Sequence, residues 1–201
     1  MTIDDHPIEI VSLKGREIAQ HLEDIAALRI EVFREWPYLY QGSMDYEQNY
    51  LSTYTDSPDA IAVLALTGKS LVGAATGLPL AHETDEFRRP FIEHGFDPAE
   101  VFYCAESILR RPYRGLGLGH RFFDERERHA RSLGGLCYST FCRVARPETH
   151  PARPADYVPL DAFWRRRGYE ERADMRTTYA WTDRGDSHSS SKPMVFWIKT
   201  L

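Results

Sequence analysis

Apolar residues at Ile18, Leu22, Ile25, Leu28, Val32 and Phe33 recur with the spacing of a helix that buries one face. Pro37 ends that pattern just after Trp36. A weaker helical stretch runs from Asp45 to about Thr55, and Ile8–Leu13 ahead of both reads as a short strand. Ile61–Leu66 and Leu71–Leu80 are apolar runs of strand length joined by Thr67-Gly68-Lys69-Ser70, which predicts a hairpin with Gly68 at positive φ. Val101–Leu109 predicts the next strand. His120–Leu133 predicts a helix whose Phe122, Phe123, Ala130 and Leu133 share a face with Leu118, with Asp124–Arg128 and Glu127–Arg131 as i,i+4 pairs on its wet side. Leu136–Phe141 is a strand, Leu160–Arg167 a short helix stopped by Gly168, and Arg176–Thr182 and Met194–Leu201 are the last strands. Residues 82–100 and 143–159 are polar and proline-broken, so they are expected as long loops, the first with a short helix. The order is β-αα-β-β-β-α-β-α-β-β.

Composition narrows the function classes. The 201 residues, 42% hydrophobic and 27% charged, suffice for one compact domain spanning 1–201. Lys and Arg number 25 against 30 Asp and Glu, a net charge of −5, which argues against general nucleic-acid binding. No apolar run approaches the ~18–20 residues of a membrane span, and the acidic Met-Thr-Ile-Asp-Asp-His start lacks the apolar stretch of a secretory signal. Cys104, Cys137 and Cys142 are odd in number, without a CxxC pair, and are expected as free, buried thiols in a reducing, cytoplasmic setting. The eight histidines show no metal-ligand spacing, so no metal is assigned, and no G-x-S-x-G nucleophile elbow occurs.

The informative stretch is Arg114-Gly115-Leu116-Gly117-Leu118-Gly119, set between a strand and a helix. Such a turn aims several backbone N–H groups at one point beside a helix N-terminus, and glycines let a diphosphate approach the backbone. The dinucleotide fingerprint is not met, because His120 stands where its third glycine belongs, and the Gly-Lys-Ser/Thr phosphate loop is absent. Arg114-x-x-Gly117-x-Gly119 resembles the acyl-CoA motif of the GCN5-related N-acetyltransferases (GNAT superfamily), and Phe163-Trp164-x-x-x-Gly168-Tyr169 resembles the aromatic pair and Gly-aromatic step of that family. The resemblance covers roughly residues 8–201. It implies an α/β fold with a central, mostly antiparallel mixed sheet flanked by helices, and acetyl-CoA as cosubstrate. It also implies a V-shaped opening in which pantetheine pairs with the strand ending at Ile108 and Leu109, while the pyrophosphate rests on Gly115, Leu116, Gly117, Leu118, Gly119 and His120.

The implied reaction is direct acetyl transfer to a primary amine of a small molecule or peptide, which requires a base for the amine and a proton for the departing thiolate. Glu106, the only charged residue in its apolar strand, is the expected general base; the bland alternative is a structural carboxylate. Trp164 occupies the position where the family often has tyrosine, so Tyr157, His150 and, behind them, Cys142 are the substitutes for the acid. The aromatic link Trp36-Pro37-Tyr38-Leu39-Tyr40 is expected to bind the acceptor, together with the two elaborated loops, and to suit a cationic or amphipathic amine. Within the proline-rich loop, Arg153 is expected to pair with Asp156. A non-catalytic acyl-CoA sensor and an O- or longer-chain acyltransferase are the rival readings. A homodimer is implied by the resemblance alone.

Overall fold

The hairpin forms as its pattern predicts. In the computed structural model, which describes residues 6–201 except the side chain of Asn49, β2 (Ile61–Thr67) and β3 (Ser70–Pro79) pair antiparallel. Gly68 takes φ +56° at their turn, a conformation that penalises any Cβ. The acidic segment 1–5, read as no secretory signal, lies outside the described residues. β1 (Ile8–Lys14) flanks β2 antiparallel. A 3₁₀ turn at Gly15–His21 leads into α1 (Leu22–Phe33), so the predicted first helix is split near its start. α2 is Met44–Asp56, capped by the Ser43 hydroxyl on the Tyr46 amide.

The stretch 82–100 is more ordered than its prolines suggest. It holds α3 (Asp85–Glu93), with Pro90 inside, and Phe87 and Phe91 of α3 are buried. The predicted strand 101–109 is two strands, β4 (Val101–Tyr103) and β5 (Ser107–Leu109). α4 (Leu118–Leu133), β6 (Tyr138–Val144), α5 (Asp161–Arg166), β7 (Glu170–Trp181) and β8 (Ser190–Thr200) complete the chain.

The sheet runs β1-β2-β3-β4-β6-β8-β7, with β5 also on β3; only β4 and β6 are parallel. The apolar Met194–Ile198 run is therefore an interior strand between β6 and β7. One buried cluster, with Ile25, Leu28, Leu51 and Phe196, packs α1, α2 and α3 on one face. A second, with Phe122, Phe123, Phe141 and Trp197, packs α4 and α5 on the other.

Several side chains depart from the expected pattern. Cys137 is exposed, whereas Cys104 and Cys142 are buried. Glu127 is not on a wet face: it is buried, where it accepts from Lys199, Arg167 and Tyr169 at 2.8–3.2 Å. Its distance to Arg131 is 3.8 Å. Asp124 pairs with Arg167 at 2.8 Å and Arg128 with Glu125 at 2.5 Å, so the Asp124–Arg128 pair does not form. No helix among the described residues is long and apolar enough to cross a membrane, and no metal-binding cluster of His, Cys, Asp and Glu occurs among them.

Candidate active site

The break between β4 and β5 creates the site. Leu78 pairs with Tyr103, but Ala75 pairs with Ser107, so the edge facing β3 carries one extra residue. Ala105 and Glu106 together oppose Thr76: the Ala105 amide donates to the Thr76 carbonyl, and the Thr76 amide donates to the Glu106 carbonyl, both at 3.1 Å. This is a β-bulge, which bends its strand. β4 pairs with β6 through Tyr103 and Thr140, and the Cys104 amide adds one last bond to the Thr140 carbonyl. Beyond it β6 pairs only with β8 and β5 only with β3, so the two strands diverge.

From beneath, Arg126 of α4 fixes the bulge. This fully buried guanidinium donates to the carbonyls of Glu106 (2.8 Å) and Thr76 (3.0 Å) and to the Ser107 hydroxyl (2.8 Å). Because a trans peptide points C=O and N–H in opposite directions, anchoring the Glu106 carbonyl turns the Ser107 N–H into the gap. Leu109, two residues on, faces the same way by strand alternation. Its carbonyl accepts from Arg114 Nε at 3.0 Å. Ile108 is buried and pairs with Ala74 on β3, so its neighbours, rather than its own backbone, face the gap.

The glycine turn lies beyond β5. Gly115 and Gly117 both take φ +80°, and a Cβ at either would meet nothing within 4 Å, so the turn's outer surface is open. Gly119 instead backs onto Phe163 of α5, 3.6 Å from where its Cβ would stand. The amides of His120 and Arg121 bond back to the Gly117 carbonyl at 3.0 and 3.3 Å. Among the described residues, no bond outside the helix is made by the amides of Gly115 and Gly117, and those of Leu118 and Gly119 lie in the first turn of α4, ahead of its internal bonding. Donors so grouped at a helix N-terminus fit an anionic group such as a diphosphate. Arg114 and Arg110 flank the turn, held by Glu35 (2.9 Å) and Glu31 (3.0 Å) of the α1 end.

On the opposite face of the sheet, an open cleft lies above Glu106. Glu106 is 4% exposed, and both its oxygens are engaged. Oε1 accepts from Arg29 and from Tyr50 at 2.8 Å; Oε2 accepts from Thr76 and from Tyr54 at 3.0 Å. Arg29 also bonds Glu47, which is fully buried, at 2.5 Å. Burial by itself lowers the Arg29 pKa, but Glu106, Tyr50 and Glu47 hold it well above the ordinary value. One cation thus faces two carboxylates. Nearby Glu83, also buried, is pushed up to about 7 by desolvation, with Glu106 adding to the rise.

The cleft walls are aromatic. Tyr46, Tyr50 and Tyr54 repeat every fourth residue on one face of α2, and Tyr46 reaches Tyr179 of β7, hydroxyl to hydroxyl, at 2.7 Å. Phe87 of α3 packs between Tyr103 and Tyr179. Tyr38 and Tyr40 of the link line the cleft, as the sequence suggests, but Trp36 does not. Trp36 packs instead on His150 (ring centroids 5.0 Å) and Tyr157 (5.9 Å), which joins the link to the proline-rich loop outside the cleft lining. Burial raises the Tyr157 pKa, which disfavours proton donation. Arg153 stacks over Tyr157 at 5.5 Å and forms no ion pair with Asp156. Trp164 packs between Phe141 and Trp197 on the α5 face. In the cleft, Tyr103 and Cys142 meet at 3.2 Å, and burial pushes the Cys142 thiol up to about 12.

Sequence reasoning singled out Glu106 but none of the groups that hold it. The four-residue tyrosine spacing in α2 was a readable signal for Tyr50 and Tyr54. Arg29, Glu47 and Arg126 looked like ordinary polar positions on amphipathic helices.

Solved structures share this architecture end to end. A Brucella melitensis ribosomal-protein-alanine N-acetyltransferase matches with TM-score 0.60 at 14% identity, over 95% of this chain and 99% of that one. A Staphylococcus aureus acetyltransferase of the GNAT family matches at 0.57 and 12%, over 97% and 99%. A Thermoplasma acidophilum paia N-acetyltransferase, in complex with coenzyme A, matches at 0.55 and 13%, over 97% and 99%. No protein-family model and no curated protein sequence matches the chain. The chain has the fold of the GNAT acyl-CoA N-acyltransferases, a mixed and mostly antiparallel sheet between two helical layers.

Proposed function

We propose that this protein transfers an acetyl group from acetyl-CoA to a primary amine. The observation that carries the reading is the bulge at Ala105–Glu106. It parts β5 from β6, with the glycine turn lying beyond β5 and Glu106 facing an aromatic cleft. In this reading the glycine amides hold the pyrophosphate, and the Ser107 and Leu109 strand edge takes the pantetheine arm. The coenzyme A complex of the Thermoplasma protein, which shares the fold, supports that use.

The acceptor enters as R–NH₃⁺ and gives one proton toward Glu106. Every lone pair of Glu106 that faces a donor is occupied, so the proton arrives through Tyr50: its hydroxyl passes its own proton to Oε1, 2.8 Å away, as it takes the amine's. The free amine attacks the thioester carbonyl, a C–N bond forms, and the C–S bond breaks with its electron pair on sulfur. The second nitrogen proton goes to that sulfur, so no wall residue need act as acid. This suits a cleft whose Cys142 thiol is held near 12 and whose Tyr103 is held well above its ordinary value by burial. Tyr157 takes no step, because it lies outside the cleft lining.

The saturation of Glu106 by four donors specifically favours a second reading, acyl-CoA binding without turnover. Glu106→Gln separates the two. The variant is expected to keep the acetyl-CoA-induced rise in melting temperature, about 5–10 °C at ~100 times the dissociation constant. It is expected to lose on the order of 100-fold or more in thiol release. Equal turnover in wild type and variant would remove Glu106 from the mechanism; no thiol release by either with any amine would leave the binding reading. Gly117→Val tests the cradle, since a β-branched residue is strained at φ +80° and its side chain would enter the open turn. It is expected to abolish the thermal shift, and a full shift would locate the diphosphate elsewhere.

A further inference from the structure

We infer that the acceptor is a small primary amine with an aromatic or apolar body and no carboxylate; the inference rests on the acetyl-transfer reading of the same cleft. Among the described residues the lining carries one cation, Arg29, and it is already claimed by Glu47 and Glu106. The same guanidinium lies over the rings of Tyr50 (4.4 Å) and Phe33 (5.1 Å), which fixes it in place. Arg146 and Lys192 sit by Trp181 and are bound to Asp183 at 2.7 and 3.4 Å. A carboxylate on the ligand would thus enter without a partner, beside two buried acids that a single arginine balances. Burying an unpaired charge is strongly unfavourable. A long polyamine fares no better, because among the described residues Glu106 is the only carboxylate in the lining. What remains is ring face: Tyr38, Phe87, Tyr103, Tyr179 and Trp181 offer apolar surface and the negative quadrupole that attracts an ammonium group.

The cleft's boundaries set the size. The Tyr46–Tyr179 hydroxyl contact spans from α2 to β7. The link is tied to the β7 end by the Gln41 amide on the Thr182 carbonyl at 2.9 Å. It is tied further by Arg146, which donates to the carbonyls of Pro37 and Tyr38 at 3.0 and 2.9 Å.

The test is a matched pair. Phenethylamine and L-phenylalanine, which differ by one carboxylate, are titrated into the full chain by calorimetry, and both are assayed for acetyl-CoA-dependent thiol release beside spermidine and a short peptide with a free N-terminus. Phenethylamine is expected to bind, and to turn over with kcat/KM at least about 100-fold above phenylalanine and above spermidine. Phe87→Leu is expected to weaken phenethylamine by roughly 5–10-fold. Equal use of the matched pair, preference for spermidine or the peptide, or acetyl-CoA binding without binding of any apolar amine would overturn the inference. Amine binding without any acetyl-CoA binding would leave the ligand class standing and sink the transfer reading alone.

Discussion

An Arg29→Met chain is expected to lose about 3–5 kcal/mol of folding stability at neutral pH, the cost of leaving buried charge without its partner. Against the ~5–15 kcal/mol of an ordinary domain, that is enough to unfold a marginal one. Arg29 is 6% exposed and is the shared partner of Glu106 and Glu47. Remove it and two buried carboxylates face each other with only hydroxyl donors left. Glu106→Gln is the instructive contrast. It leaves Arg29 with Glu47, one charge against one, and an amide that still accepts from Tyr50 or Tyr54, so its expected cost is only about 1–2 kcal/mol. Urea unfolding of both variants and wild type at pH 7.5 measures the two costs. Equal costs for the two variants would show that Arg29 does not balance the pair.

That asymmetry bears on function as well as stability. A carboxylate held by four donors is fixed in place, and the excess of one carboxylate over Arg29 keeps the cleft floor attractive to a cation. The same charge count that makes Arg29 costly to lose also makes an acidic acceptor a poor ligand.

The fold was largely legible because its elements carry strong periods: the hairpin at Gly68, the amphipathic α4 and the apolar β2 and β8 all appear where hydrophobic spacing puts them. The split of β4 from β5 was not legible. A bulge depends on the register of β3 against both strands, and Val101–Leu109 reads as one unbroken apolar run. The short helix expected within 82–100 is α3, whose bounds Pro90 and its polar residues obscured, although Phe87 and Phe91 supply its buried side. In the site, the glycine turn and Glu106 stand out because their residue types are unusual in their local setting. Arg29, Glu47 and Arg126 do not, since charged residues on amphipathic helices are ordinary until the tertiary fold turns them inward. Trp36 was expected in the acceptor wall and Tyr157 as an acid, yet the two pack on each other outside the cleft lining, a matter of loop path that no local pattern encodes.

Glu83 supplies the second large effect, and its sign is opposite to that of a paired acid. It is 7% exposed at the end of the 3₁₀ turn after β3, with the Thr84 amide at 3.2 Å as a hydrogen-bond donor. Acidic neighbours Glu106 and Glu86 and the hydroxyl or thiol groups of Tyr54, Tyr103 and Cys142 surround it, with no cation bonded to it. Desolvation carries its pKa from 4.5 to about 7 in the folded chain. The folded state therefore prefers the protonated acid. Stability is fully present below the unfolded value near 4.5, falls as the pH rises, and is lost by the time the pH passes the folded value near 7. The difference is worth about 3 kcal/mol. Glu83→Gln, which keeps the shape and cannot ionise, is thus expected to be more stable than wild type by about 3 kcal/mol at pH 8 and equal to it below about pH 4.5. Paired denaturant titrations across pH 4.5–8 give the curve directly. A gap that stays constant over that range would mean the glutamine acts through packing alone, and a gap that widens toward low pH would mean that Glu83 is held ionised.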